Sequence, residues 1–217
     1  MQTLTATDYN RLREGGEVIE ADHFGEKVLR LKDESFLKLF RRKRLLTSDL
    51  LKPYSQRFAD NARELEQRGI PTVDIITVYR IPSIERTAVH YRPLAGETLR
   101  TWLRTCTSLE RQQLARELGQ FIARLHRSGV YFRSLHLGNV LMMPDGRLGL
   151  IDISDMRCTS HSIGLRARLR NFRHLARYRE DMELLGDSAA MLAETYNDMA
   201  GTSKGFRLKL DTILSGE

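Results

Sequence analysis

Cysteine is scarce in this chain of 217 residues: Cys106 and Cys158 are the whole supply. They form no CxxC pair and no ligand cluster, which excludes a disulfide framework and a thiolate metal site. No apolar run approaches the roughly 20 residues a helix needs to cross a bilayer. The opening stretch, MQTLTATDYNRLREGG, has neither the basic start nor the apolar core of a signal peptide, so a cytoplasmic protein is predicted. Repeats and low-complexity tracts are also missing, which excludes a solenoid or array.

What is present is a basic surplus. Lys plus Arg number 35 against 28 Asp plus Glu, a net charge of +7. That balance favours anionic partners: nucleotides, phosphorylated sugars, anionic membrane surfaces or nucleic acid. The length suits one domain, or two tightly packed lobes, with room for a real core.

The first part of the chain reads as strands plus one long helix. Residues 27–31 and 36–40 have strand character, with a polar turn at Lys32, Asp33, Glu34 and Ser35. A basic run follows at Arg41, Arg42, Lys43 and Arg44. Leu51, Tyr54, Phe58, Ala62 and Leu65 then recur at helical spacing, predicting a helix from about Ser48 to Arg68. Gly69 stands where a left-handed cap would end it, and Pro71 blocks continuation. Extended runs are expected at Val73–Ile81 and Thr87–Tyr91, with Pro82 and Ser83 in the turn between.

The second part, from residue 93, reads as mainly helical. PLAGET (93–98) is a connector. Thr107 and Glu110 have capping-box spacing, and Leu114, Leu118, Phe121, Ile122 and Leu125 mark one face of the helix that follows, ending at Gly129. Short strands are expected at Val140–Met143 and Leu148–Ile151 around the turn Pro144-Asp145-Gly146. After Ile163 the pattern is helical almost to Ala200, with a break near Gly186 and Asp187.

The residues with chemistry lie between Leu118 and Asp155. Asn139 precedes one short strand and Asp152 ends the next, so a tight hairpin brings the two to one edge. An amide oxygen beside a carboxylate is a hard-oxygen pair suited to Mg²⁺, whose remaining ligands would be waters and nucleotide phosphates. Phosphoryl transfer asks little more of a protein than positioned phosphates, neutralised charge and an oriented nucleophile. Read blandly, both are turn-capping residues. His136 reads as a loop-stabilising group rather than a catalyst. His23, His90, His126, His161 and His174 show no ligand spacing and read as structural or exposed.

These segments carry a resemblance. ARLHRSG, LHLGNVL and GLIDISD resemble the catalytic-loop and metal-binding segments of protein-kinase-like phosphotransferases. RGIPTV and YFRSLH, with the small size, are most similar to the lipopolysaccharide-core heptose and Kdo kinases and to toluene tolerance proteins. The resemblance covers most of the chain and is specific from about 90 to 155. It implies an α+β, bilobal kinase-like fold: a small antiparallel N-lobe over 1–92 and a helical C-lobe over 93–217. It also implies ATP and Mg²⁺ as cofactors and a lipopolysaccharide core sugar, heptose or Kdo, as acceptor. Asn139 and Asp152 match the metal-binding positions. Lys38, central in FLKLF, matches the lysine that holds the α and β phosphates. Leu37 and Leu39 would face the core, with Lys38, Phe36 and Phe40 on the other face.

Three departures stand out. The catalytic aspartate falls on Ser134, because the triplet reads Phe132-Arg133-Ser134. Loss of a positioned acid–base group costs about 10²–10⁴ in rate; Asp155 is the substitute weighed for that role. Gly15, Gly16 and Gly25 do not make a G-x-G-x-x-G loop. The partner acid of Lys38 is unsettled, with Glu64 first choice and Asp60 second. Two functions therefore stand: an active sugar kinase, or a pseudokinase serving as a nucleotide-binding or scaffolding module in lipopolysaccharide biosynthesis. The arginine-rich helix after Ile163 (Arg166, Arg168, Arg170, Arg173, Arg177, Arg179, with an apolar face of Leu165, Leu169, Phe172 and Ala176) reads either as an ordinary solvated face or as a site for phosphorylated sugars or an anionic inner-membrane surface. No RNA-binding or helix-turn-helix signature accompanies the charge, so nucleic acid is not an expected partner.

Overall fold

The turn at Lys32–Ser35 sets the register of the first sheet. Asp33 Oδ1 accepts from Ser35 N at 3.1 Å and Ser35 Oγ at 2.5 Å, while Glu34 takes a left-handed conformation (φ 63°). These bonds hold the Asp33 carboxyl below the usual carboxylate range. The computed structural model describes residues 1–41 and 53–216. They divide into two compact units, Met1–Leu94 and Ala95–Glu217.

In the first unit β1 (Gln2–Thr3), β2 (Glu17–Asp22), β3 (Gly25–Arg30), β4 (Phe36–Arg41), β5 (Asp74–Ile81) and β6 (Arg86–Arg92) form a six-stranded sheet ordered β1-β5-β6-β4-β3-β2. The pairings are antiparallel except β1 with β5, which is parallel. Period-two alternation in β4 separates its faces. Leu37 and Leu39 are buried on one side with Leu29, Leu31, Ile81 and Ala88. Tyr9, from helix α1 (Ala6–Arg13), closes that cluster. Sequence patterning missed α1: it is short, its apolar content is low, and its main signal is the Thr5 cap, whose Oγ1 accepts from Asp8 N at 3.1 Å.

The other face of β4 meets α2 (Tyr54–Gln67), which buries Phe58, Ala59, Ala62 and Leu65. Phe40 and Tyr91 flank the Phe58 ring at 6.2 and 5.4 Å between centroids. The helix ends in a Schellman motif: Gly69 N donates to Glu66 O at 2.9 Å and Ile70 N to Leu65 O at 3.0 Å. Gly69 supplies the required positive φ of 65°. The expected first turn from Ser48, including Leu51, and the run Arg42, Lys43, Arg44 lie outside the described residues.

The second unit opens with β7 (Glu97–Thr98), inside what reads as a connector, and α3 (Leu99–Leu103), which follows it directly. Helix α4 (Ser108–Arg127) starts at the capping box: Glu110 N donates to Thr107 Oγ1 at 3.3 Å, and Thr107 N to Glu110 Oε2 at 2.8 Å. β8 (Val130–Phe132) pairs with β11 (Met156–Cys158), and β9 (Val140–Met142) lies between β10 (Leu148–Leu150) and β7. The expected long helix after Ile163 is three helices, α5 (Leu165–Ala176), α6 (Arg179–Leu185) and α7 (Ser188–Ala200), followed by α8 (Lys204–Ser215). Tyr178, with ψ 89°, makes the break that composition did not signal. The buried face of α5 is Asn171, Phe172 and Leu175; Leu165, expected among the apolar residues, is 53% exposed. Among the described residues no helix is long and apolar enough to cross a membrane.

Candidate functional site

The loop between β8 and β9 is pinned at both ends by buried polar side chains. At the β8 end, Asn171 brackets Phe132: its Nδ2 donates to Phe132 O at 2.6 Å, and its Oδ1 accepts from Phe132 N at 3.3 Å. The same Oδ1 lies 3.1 Å from His126 Nε2. An amide oxygen only accepts, so His126 carries its proton on Nε2, and Nδ1 accepts from Tyr196 OH at 2.9 Å. Burial in this dry network pushes the His126 imidazole down to about 3. At the other end, fully buried Asp181 accepts from Leu137 N at 2.7 Å and from Arg100 Nε at 2.6 Å.

Between these anchors the backbone folds onto itself. Asn139 N donates to His136 O at 2.9 Å, closing a short 3₁₀ turn over Leu137–Asn139. Asn139 is buried, and its Nδ2 donates to Ser134 O at 2.9 Å. That bond fixes the amide's sense and leaves Oδ1 as the end open to a cation. Across the hairpin, Ile151 N donates to Asn139 O at 3.1 Å, and Val140 pairs with Leu150. Asn139 and Ile151 are thus opposite one another where the ladder ends, and Asp152 is the next residue. Asp152 is exposed and left-handed (φ 50°, ψ 48°), a costly backbone state for a residue with a Cβ. Ser154, two residues on, has a buried hydroxyl with no hydrogen-bond partner.

Ser134 and Asp155 line one cavity of about 230 Å³, together with Arg133, His174, Arg177 and Tyr178. Arg133 N donates to Asp155 O at 3.2 Å, tying the two segments. His136 is half-buried against Tyr178, with ring centroids 4.3 Å apart, and its Nδ1 lies 3.5 Å from Arg100 Nη2. Burial, then Arg100, lowers its pKa, while Asp181 and Asp152 pull the other way. Its packing is that of a loop-supporting residue.

In the first unit, Lys38 lies inside the sheet, opposite Val28 on β3 and Val89 on β6. Its Nζ sits 5.8 Å from the Phe58 ring centroid and 6.0 Å from that of Phe40. Glu64 is ion-paired with Arg68 at 2.5 Å on its own helix. Asp60 accepts from Gln56 Nε2 at 2.9 Å.

Sequence reading missed Asp181, Arg100 and Asn171. Asp181 sits in the first turn of a short helix, where an acid reads as surface charge. Asn171 had no signal. His126 did have one: it falls four residues after Ile122 on the buried face of α4.

The donor set suits a hard divalent cation. Among the described residues no three His, Cys, Asp or Glu gather to hold a metal alone. A cation at Asn139 Oδ1 and Asp152 would therefore draw on phosphate oxygens and water.

A mainly antiparallel sheet with a packed helix, then a mainly helical unit, is the make-up of a kinase-like protein of α+β class. The chain belongs to the lipopolysaccharide kinase (Kdo/WaaP) family, whose model matches residues 13–196. No curated protein matches it. Among solved structures, it is similar to a divergent kinase lacking the glycine-rich loop that regulates membrane ultrastructure of the Toxoplasma parasitophorous vacuole. That match has 20% identity and a TM-score of 0.49, covering 84% of this chain and 67% of that one.

Proposed function

We propose that this protein transfers the γ-phosphoryl group of ATP, with Mg²⁺, to a hydroxyl on a lipopolysaccharide core sugar, heptose or Kdo. The carrying observation is the hairpin that puts Asn139 and Asp152 at one ladder end, with the Asn139 amide oriented by Ser134 O. Asn139 Oδ1 and the Asp152 carboxylate hold the metal, which neutralises charge on the transferring phosphoryl group. Lys38 holds the nucleotide phosphates. Ser134 or Asp155 orients the acceptor hydroxyl, and Asp155 is the one with a carboxylate able to take its proton. Family membership supports the sugar acceptor. The basic charge of the whole chain, +7, supports an anionic acceptor or membrane surface.

A second reading, a pseudokinase that binds nucleotide without turnover, is favoured by Ser134 at the position of the usual catalytic acid. Nucleotide-induced thermal stabilisation with and without Mg²⁺, followed by a transfer assay on core oligosaccharide, separates the two. At 100 times the dissociation constant, ATP should add about 2.7 kcal/mol of apparent stability. Mg²⁺-dependent stabilisation with transfer supports the kinase; the same stabilisation without transfer supports the pseudokinase. Asp152→Ala should remove the Mg²⁺ dependence, and unchanged dependence sinks the metal assignment.

A further inference from the structure

The cavity beside Ser134 and Asp155 has a charge that the transfer chemistry does not use. Arg133 and Arg177 line it with His174, and Asp155 is the one carboxylate in its wall. Five arginines of the same unit, Arg100, Arg104, Arg147, Arg179 and Arg207, are ion-paired with Asp181, Glu180, Asp145, Glu183 and Asp198. Among the described residues no ion pair engages Arg133 or Arg177.

His174 is built into the same wall rather than left to swing. Its Nε2 is 2.9 Å from Tyr131 OH, and its Nδ1 is 3.5 Å from Arg177 Nη1. Burial lowers its pKa, and Arg177, Arg133 and Arg170 lower it further, so three guanidinium groups act on one ring. At about 230 Å³ the space is below the roughly 300–1,000 Å³ of pockets that enclose a whole small ligand. It fits a group, not a nucleotide. Guanidinium forks suit the planar and tetrahedral oxyanions, carboxylate and phosphate.

We infer that Arg133 and Arg177, the latter set against the His174 ring, form a subsite for an anionic group, phosphate or carboxylate, carried by the acceptor whose hydroxyl is presented at Ser134 and Asp155. This rests on the kinase reading and narrows its substrate: the acceptor is already anionic next to the hydroxyl that is modified. A neutral sugar would leave two guanidiniums facing an empty wall and would bind poorly.

The test uses the full chain and inorganic phosphate as probe, followed by the imidazole resonance of His174. Saturable movement of that resonance in the wild type is expected, weakened about tenfold or more in Arg177→Gln and in Arg133→Gln, as for loss of a charge-assisted contact. Both arginines are exposed, so neither replacement should unfold the protein, and unchanged melting temperatures verify this. In Asp152→Ala the phosphate response should persist. A resonance that does not move in the wild type, or that moves in the arginine variants with the wild-type affinity, overturns the subsite.

A second arm identifies the source of the anion. Phosphatase-treated and carboxyl-reduced core oligosaccharides are compared with the intact one for binding and for transfer. Whichever treatment removes the recognised group should raise the acceptor's apparent dissociation constant and KM about 10–100-fold in the wild type, with no further loss in Arg177→Gln. The KM for ATP should stay unchanged. Equal loss for ATP and acceptor, or no loss with either treated acceptor, overturns the inference. Mg²⁺–ATP binding without phosphate binding leaves the kinase reading standing and removes the subsite alone. Phosphate binding without Mg²⁺–ATP binding removes the kinase reading, and the acceptor assignment with it.

Discussion

Asp181 has no solvent exposure, yet it bonds a backbone amide of the β8–β9 loop and the Arg100 guanidinium. Replacing it by alanine leaves the Leu137 amide without its acceptor, while Arg100, a quarter exposed, keeps Glu180 at 3.7 Å, a change that costs about 1–3 kcal/mol. Asp181→Ala should therefore lower stability by that order in urea denaturation, and its loop should lose amide protection at Leu137 first. A loss under about 1 kcal/mol would mean water reaches the pair and the anchor is not what fixes the loop. Ser134 and Asp155 pose the other question at this scale. If Asp155 takes the acceptor's proton, Asp155→Asn should cost about 10²–10⁴ in kcat while Ser134→Ala leaves turnover within a few-fold, measured as transfer to core oligosaccharide. The reverse pattern assigns the role to Ser134.

Helices α4 and α7 cross so closely that a Cβ on Gly119 would stand 2.6 Å from Leu192 O. Backbone on the facing helix cannot step aside as a flexible side chain can. Gly119→Ala should cost about 1–3 kcal/mol despite alanine's better helix propensity, read as a shift in the urea midpoint. The element scale is also where sequence reading was uneven. The capping box at Thr107 and Glu110, the stop at Gly69, the turn at Asp33 and the hairpin over Asn139–Asp152 are local, so residue types within a few positions specify them. α1, α3, β8 and β11 are short and lean on partners distant in sequence, such as β8 on β11 through Phe132 and Met156. Their own residues carry too little pattern to announce them. Leu165 shows the converse: it reads as part of an apolar stripe, but α5 presents Asn171 and Phe172 to the interior instead.

For the whole molecule, the buried imidazoles set the acid limit. His126 stays neutral in the folded state down to about pH 3, whereas an unfolded histidine protonates near 6.5. Between those values the unfolded chain binds more protons, so stability rises with pH across that window and is lost as pH falls below 6.5. His126 alone should account for about 2 kcal/mol at pH 5. His90, His136 and His174 are depressed by burial in the same direction and steepen the fall. Urea denaturation from pH 7.5 to 4.5 should show this slope, and His126→Gln, which takes no proton, should flatten it. A level profile through pH 5 would contradict the buried-imidazole network.

The order of local signals along the chain determined the class: a strand with a central lysine, a helix with a clear stop, a capped helix, then a hairpin holding Asn139 and Asp152. Each is written in neighbouring residues, because turns, caps and amphipathic stripes are governed by contacts a few positions apart. Tertiary structure decided what surrounds those residues. The Asp181 and Asn171 anchors join positions more than 35 residues from their partners, and Arg133, His174 and Arg177 reach one wall only when α5 packs beside the β8–β9 loop. Charge and polarity fix what a side chain can bond, but only the folded chain's closure over long sequence separations selects which partner it meets.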